Sequence, residues 1–394
     1  MKKNEVVIVA AFRTAIGKFG GSLKDLSAVD LARQLVVKGL ERDQINPEQI
    51  DEVIFGNVYS AGLGQNMARQ IAIQSGIPQR VPATTINQVC GSGMKALMLG
   101  YQSILAGLNE VVLVGGSESM SNVPYLAKDH RWGSKLGDRT LVDGLLADGL
   151  MDAFESYHMG MTAENIVERY HISRQDQDLY AVSSHNKAAR AQAEGQFADE
   201  IIPIRLYTGK GEALIFDQDE SIRHNQTLEQ ISRLKPVFKQ DGTVTPANAS
   251  PLNDGAAALV LMTRERAEAL NLPILAQIAA SAQVGVDPAI MGTGPIPASR
   301  LAVERAGLAF DDIDLIEANE AFACQALHVQ NELGLDPEKV NVNGGAIALG
   351  HPIGCSGARI IVTLVHEMKR RQAQYGLATL CIGGGQGDAV VLQA

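Results

Sequence analysis

In 394 residues the sequence has little cysteine, a single tryptophan and no excess of positive charge, and each scarcity removes a class of proteins. Four cysteines, Cys90, Cys324, Cys355 and Cys381, with no C-x-x-C pair among them, exclude a disulfide framework and a structural zinc site. No resident metal is expected. A formal net charge of −10 lacks the basic footprint that nucleic acid or an anionic membrane requires. No apolar run approaches the roughly 20 residues of a membrane span. The first such run, from Val6 to Phe12, is too short for a signal peptide and is interrupted by Arg13, so it reads as a strand. The expected compartment is the cytoplasm.

What is present is an α/β rhythm. Strands are predicted over Glu5–Phe12, Asp51–Val58 and Glu110–Val114, the last ending at Gly115-Gly116. Between them lie a helix opened by the capping box Ser27-Ala-Val-Asp30 and another over Asn66–Gln74. This alternation predicts a mostly parallel sheet with helices on both faces, over residues 1–120. The rhythm stops across 121–248, which holds Trp132, five of the eight histidines and a helix expected over Ser173–Glu194. An excursion of this length reads as an inserted lid and ligand-binding domain. Residues 249–270 return to complete the first half, and 271–394 form a second. There strands are expected over Ile274–Ala282, Asp314–Glu317, Leu377–Ile382 and Asp388–Leu392, and helices over Ser299–Ala306 and Cys355–Arg371.

The second half echoes the first. Ile50-Asp51 matches Ile313-Asp314 at an offset of 263, and Gly91-Ser-Gly93 matches Cys355-Ser-Gly357 at 264. Leu113-Val-Gly-Gly116 matches Cys381-Ile-Gly-Gly384 at 268. Three elements in the same order point to a duplicated α/β unit, whose strand ends should meet across one cleft.

Within this frame, Thr84 to Gly107 is the focal stretch. An extended run ends at Cys90, and Met94, Leu97, Met98, Tyr101, Ile104 and Leu105 then recur at the spacing of a buried helix. A thiol at a helix N-terminus is expected to have a lowered pKa. Three further motifs join Val89-Cys-Gly-Ser-Gly93: Asn319-Glu-Ala-Phe-Ala323, Gly350-His-Pro-Ile-Gly354 and Cys381-Ile-Gly-Gly-Gly385. Each is weak singly. Together they offer a nucleophilic thiol, a base, a second acid/base and oxyanion donors, which is what carbon–carbon bond chemistry on thioesters requires.

With these motifs, and with Arg13-Thr-Ala-Ile-Gly-Lys-Phe-Gly-Gly21, Tyr157-His-Met-Gly160, Asn248-Ala-Ser-Pro-Leu-Asn-Asp-Gly-Ala256 and Asn343-Gly-Gly-Ala-Ile-Ala-Leu-Gly-His-Pro352, the chain resembles the thiolase superfamily over its whole length. Within that superfamily it is most similar to the short-chain acetyl-CoA acetyltransferases. The resemblance implies a thiolase fold, in which two duplicated α/β halves form a five-layer αβαβα core with an inserted loop domain. It implies that Cys90 is the acetylated nucleophile, His351 the base, and Cys381 the group that moves the α-proton. Asn319, through a water, and His351 would hold the enolate oxygen, and the N–H groups of Cys90 and Gly383 the tetrahedral oxyanion. Arg223, Ser250 and His158 match coenzyme A positions, the first against adenine and the others along pantetheine and thioester. Acetyl-CoA, acetoacetyl-CoA and CoA would be substrates and products, with no separate cofactor. Residues 122–140 resemble the loop that joins dimers, which implies a homotetramer. Cys324 and Cys355 stand where alanine is common in the biosynthetic branch and are expected to be packing residues. A reversible Cys90–Cys381 bond under oxidant is a separate hypothesis. Three alternatives stay open: a broad-chain 3-ketoacyl-CoA thiolase, a condensing enzyme using carrier-protein substrates, and a silent acyl-CoA-binding subunit.

Overall fold

All nine residues of the strand Val111–Ser119 are buried, with Val111 and Leu113 in one apolar cluster and Val112 and Val114 in another. A strand that is apolar on both faces must be covered on both sides. The computed structural model describes residues 5–133, 135–207 and 213–394. The strands of the first half are β1 (Val6–Arg13), β2 (Glu52–Gly56), β3 (Ala83–Ile86), β4 (Val111–Ser119) and β5 (Asn253–Thr263). Those of the second are β6 (Ala276–Gly285), β7 (Leu315–Ala318), β8 (Tyr375–Ile382) and β9 (Gln386–Gln393). They lie in one 10-stranded sheet in the order β7-β8-β9-β6-β1-β5-β4-β2-β3, with the short strand Gly17–Lys18 on β5. Among the described residues, strand pairing between the halves is confined to Val7–Gln277 and Ile8–Ala276.

The helices make the layers. Helices α1 (Ala28–Arg42) and α2 (Met67–Gln74) cover the outer face of the first half, burying Leu31, Leu35 and Ile71 against Phe12 and Phe55. Ser27 and Asp30 form the expected capping box on α1. Helix α3 (Ser92–Leu105) packs on the other face, beside a C-terminal helix, Ile353–Arg371, that touches strands of both halves. Met94, Leu97, Ile360 and Ile361 bury this middle layer together with Val114 and Leu380. Helices α4 (Met159–Tyr170) and α5 (Arg174–Ala193) belong to the inserted region. Helices α6 (Pro295–Arg305) and α7 (Ala323–Leu333) cover the outer face of the second half, and the Ile353–Arg371 helix is α8. The result is the five-layer αβαβα order that the resemblance implied. Among the described residues no helix is long and apolar enough to cross a membrane.

Two expectations are corrected. The sheet is mixed and not mostly parallel: β2 pairs in parallel with β3 and β4, and β7 with β8, while β1–β5, β4–β5, β6–β9 and β8–β9 are antiparallel. The reason is that β5 returns from the insertion and slots between β1 and β4 in the opposite direction. It is not bound by the crossover geometry of a strand–helix–strand unit. Second, Gly115-Gly116 and Gly383-Gly384 are not equivalent. Val53 of β2 pairs with Leu113, and its counterpart Ile316 of β7 pairs with Leu377, so the true offset of β4 and β8 is near 264. Thus β4 continues through its glycines to Ser119, whereas β8 ends at Ile382 in a turn where Gly384 and Gly385 take φ of +86° and +83°.

Candidate active site

Cys90 stands just before α3, in a turn that the backbone resists. Val89 has φ +48°, a left-handed conformation that a β-branched residue adopts only under constraint. The constraint is local. Asn87 Oδ1 accepts the Val89 N–H at 2.8 Å, while Ser92 Oγ donates to the Val89 carbonyl at 2.7 Å and accepts the Gln88 N–H at 2.9 Å. Where α3 and α8 cross, a side chain at Gly93 would lie 2.7 Å from the Ala358 nitrogen, and one at Gly357 would lie 2.4 Å from that of Met94. Only glycines allow the two helices to bring their N-terminal ends to one place.

At that place the halves meet. The backbone N–H groups of Cys90 and of Gly383 lie near enough to the Cys90 sulfur to favour its thiolate form. Cys381, fully buried at the end of β8, lies close enough to Cys90 for its thiol to feel the charge there. The lowered thiol pKa expected at the helix end is not found. Burial pushes the Cys90 thiol up to about 11, outweighing the two N–H groups, and nearby Glu118 adds to the rise. Burial pushes Cys381 higher still. Both sulfurs therefore rest as thiols, and a base is needed to use either.

His351 is buried, two residues before Ile353, which packs in the same apolar cluster as Cys90. Its backbone N–H is held by Asn253 Oδ1 at 2.9 Å. Its Nδ1 lies 2.6 Å from Ser356 Oγ, and Ser356 donates its single proton to the Pro352 carbonyl at 2.9 Å. Nδ1 therefore carries a proton directed at Ser356, which leaves Nε2 with a lone pair. Burial, and next the charge of Arg359, push His351 down to about 4, so it is neutral near pH 7. Asn319 follows β7; its Nδ2 is 3.5 Å from His351 Nδ1, and its buried Oδ1 has no partner among the described residues. An unpaired buried amide oxygen is a place for a donor to bind.

Glu118 ties these parts together. Fully buried, it accepts from Asn57 Nδ2 and from the backbone N–H groups of Val58, Tyr59 and Gly354, at 2.7, 3.0, 3.1 and 2.8 Å. Burial nevertheless pushes it up to about 7. One carboxylate so fixes the loop after β2 and the start of α8, from opposite halves.

Two apolar walls flank Gly383, which sits between Val89 and Met159. On one side Cys381 packs with Met159, Met291, Ala321 and Phe322. Phe238 continues this wall, stacked on His158 at 4.5 Å and edge-on to Phe322 at 6.4 Å. His158 caps α4, its Nδ1 accepting the Gly160 N–H at 3.0 Å. Ser250 is half-buried beside this wall, with its hydroxyl donating to the Ala321 carbonyl at 3.0 Å. On the other side Val58, Tyr59, Met120, Leu145 and Ile353 close around Cys90. Arg223 is not part of either wall. It is exposed, its backbone N–H donating to His185 Nδ1 at 3.1 Å. Cys324 and Cys355 are buried in the packing.

Glu118, Ser356, Asn253, Phe238 and Tyr59 were not foreseen. Two carried a usable signal: Asn253 lies inside the Asn248–Ala256 motif, and Ser356 lies within a turn and a half of His351 on the helix that the histidine precedes. Glu118 and Phe238 reach the site from far along the chain, and no local pattern marks them.

Comparison with known proteins agrees with this geometry. The profile described as "Thiolase, N-terminal domain" matches residues 6–265, and "Thiolase, C-terminal domain" matches 272–394. An acetyl-CoA acetyltransferase of Pseudomonas aeruginosa is 55% identical over 388 residues, covering 98% of this chain and 99% of its own. The crystal structure of the Bacillus anthracis acetyl-CoA acetyltransferase superposes with a TM-score of 0.97 at 46% identity, covering 100% of this chain and 99% of its own. Human mitochondrial 3-ketoacyl-CoA thiolase in complex with CoA gives 0.95 at 45% identity, with 99% and 98% covered. Paired sulfurs from two halves, a buried neutral imidazole and full-length similarity place this chain in the thiolase family.

Proposed function

We propose that this chain is an acetyl-CoA C-acetyltransferase. It condenses two acetyl-CoA to acetoacetyl-CoA and CoA, and runs the reverse thiolysis. The observation that carries the reading is the Cys90 sulfur facing two backbone N–H groups, its own and that of Gly383, with the Cys381 thiol beside it. The names of its close relatives support the same activity.

In the first step His351 Nε2 takes the Cys90 proton as the sulfur attacks the thioester carbonyl. The carbonyl oxygen becomes an oxyanion held by the N–H groups of Cys90 and Gly383, each such donor contributing about 3 kcal/mol of barrier lowering. CoA leaves as a thiol, taking the proton from His351, and acetyl-Cys90 remains. In the second step His351 Nε2, again free, takes the proton of the Cys381 thiol, and the Cys381 thiolate removes a proton from the methyl of a second acetyl-CoA. The enolate oxygen is held by His351 and by a water on Asn319. The enolate carbon attacks the acetyl carbon, the Cys90–carbon bond breaks with its electron pair on sulfur, His351 returns a proton to the Cys90 thiolate, and acetoacetyl-CoA departs. Because the acetyl group rests on Cys90 between substrates, the kinetics are ping-pong. CoA is substrate and product, and the chemistry needs no separate cofactor.

His158 and Ser250 line the pantetheine path, and Arg223 stacks on adenine at its outer end. The exposed side chains of Tyr125, Trp132 and Leu136 support a homotetramer joined through residues 122–140, which light scattering would test.

The activity is tested by CoA-dependent thiolysis of 3-ketoacyl-CoA substrates from acetoacetyl to 3-ketohexadecanoyl, with Cys90→Ala beside wild type. Fast cleavage confined to the shortest substrates and lost in the variant is expected. Equal rates on long chains would move the protein to the broad-chain thiolases. Absent cleavage in a folded protein would leave the binding-subunit reading.

A further inference from the structure

Tyr59 is fastened next to Cys90 from three directions. Its backbone N–H is held by Glu118 at 3.1 Å, and its hydroxyl donates to the Leu145 carbonyl at 3.0 Å. Its ring fills the space over Gly149, where any side chain would lie 2.0 Å from the Tyr59 oxygen. Leu145 opens the π-turn Leu146–Leu150, a form of helix frequent at functional sites. The ring is 5% exposed and belongs to the apolar cluster that contains Cys90, and Cys90 is among the groups whose charge the hydroxyl feels. A polar-tipped ring pinned at both ends cannot turn aside for a substrate.

An acyl group on Cys90 has little choice of direction. Its carbonyl oxygen is committed to the N–H groups of Cys90 and Gly383, and the Cys381 side is needed for the incoming second substrate. The alkyl end must run toward Val58, Tyr59 and Leu145.

We propose that Tyr59 is the specificity-determining residue that limits the acyl group carried on Cys90 to the shortest chains. This deepens the thiolase reading and rests on it. In thiolysis the Cys90 sulfur bonds to C3 of the 3-ketoacyl-CoA, and the C2–C3 bond breaks. Its electron pair leaves on C2 and is protonated by Cys381, releasing acetyl-CoA; the CoA thiol then frees the shortened acyl chain from Cys90. The tyrosine ring meets only the part of the substrate beyond C3. Each methylene that a pocket excludes is worth roughly 10- to 200-fold in kcat/KM.

The test is the ratio of kcat/KM for 3-ketooctanoyl-CoA to that for acetoacetyl-CoA, with intact-protein mass after incubation with acetyl-, butyryl- or hexanoyl-CoA. Tyr59→Ala is expected to raise the ratio by about tenfold or more and to carry hexanoyl on Cys90 where wild type carries only acetyl. Tyr59→Leu, which keeps more buried volume and guards against misfolding of the alanine variant, should shift the ratio the same way by less. Tyr59→Phe, which keeps the ring, should stay within about threefold of the wild-type ratio. Rates that fall in parallel for all lengths in the alanine and leucine variants, or a wild type that accepts hexanoyl as readily as acetyl, would overturn the proposal and leave the acetyl-transfer reading standing. A wild type never acetylated on Cys90 would overturn both.

Discussion

Asp51 accepts the backbone N–H groups of Glu110 and Val111, each at 2.9 Å, and Asp314 accepts those of Gln374 and Tyr375, at 2.8 and 2.9 Å. The two halves repeat one another down to single hydrogen bonds at their strand starts, yet diverge at their helix starts. Ser92 and Ser356 are equivalent residues near the beginnings of α3 and α8. Ser92 closes the turn that presents Cys90. Ser356 instead meets the imidazole of His351. Where the first half has Cys90, the second has Gly354, whose N–H is clamped by Glu118 of the first half. A duplicated frame has thus kept its scaffold bonds and reassigned a handful of positions, one half supplying the Cys90 thiol and the other the His351 imidazole and the Cys381 thiol.

Removing the proposed nucleophile breaks the comparison most severely. Cys90→Ala should lower turnover by about 10⁴-fold or more in both directions while the thermal midpoint barely moves. Next is Cys381→Ala, which should still become acetylated on Cys90 by mass but form no acetoacetyl-CoA; loss of acetylation as well would mean that the halves do not divide the work. The equivalent serines sharpen the contrast. Ser356→Ala is expected to lower kcat roughly 10- to 100-fold with little change in KM, because the imidazolium loses its acceptor. Ser92→Ala should cost about 1 kcal/mol of stability, the usual worth of a lost internal hydrogen bond, in addition to any displacement of Cys90. Equal effects of the two on kcat would erase the distinction.

A pH profile tests the buried imidazole. His351 is pushed down to about 4, so its neutral, basic form persists below the ordinary value of 6.5. Its stabilising contribution is present above pH 6.5 and is lost as pH falls toward 4. The acid limb of kcat/KM should lie well below 6.5, and a limb at or above 6.5 would contradict the environment described here. Iodoacetamide labelling of Cys90 should keep accelerating through pH 10, since its thiol titrates near 11. The smallest effect is the symmetric one. Asp51→Ala and Asp314→Ala should each cost about 1 kcal/mol in denaturant unfolding, equally and without altering kcat.

Much of this was legible in the sequence. The capping box at Ser27, the helix behind Cys90 and the α5 helix are local patterns, and each falls within a residue or two of its expected bounds. The thiols, His351 and Asn319 announced themselves through motifs. Strand direction was not legible, because β5 is placed by what it pairs with and not by what precedes it. The false equivalence of the two glycine pairs has the same origin, since four matching residue types outweighed a register that only the sheet defines. The raised Cys90 pKa also lay out of reach: a helix end can be read from a sequence, but the burial that opposes it is a property of the assembled layers.

The placement of β5 bears on how the protein is made. β5 lies between β1 and β4 and pairs with both, yet it follows β4 only after the whole inserted region, from Ser119 to Asn253. At the usual 5–20 residues per second, a ribosome spends on the order of ten seconds between finishing β4 and starting β5. Throughout that interval β1 and β4 present unpaired edges to one another's missing neighbour, the condition under which nascent strands seek partners elsewhere. The first half therefore cannot close until most of the chain has been synthesised, and a nascent chain stalled within the inserted region should be an aggregation-prone chaperone client and not a half-built enzyme.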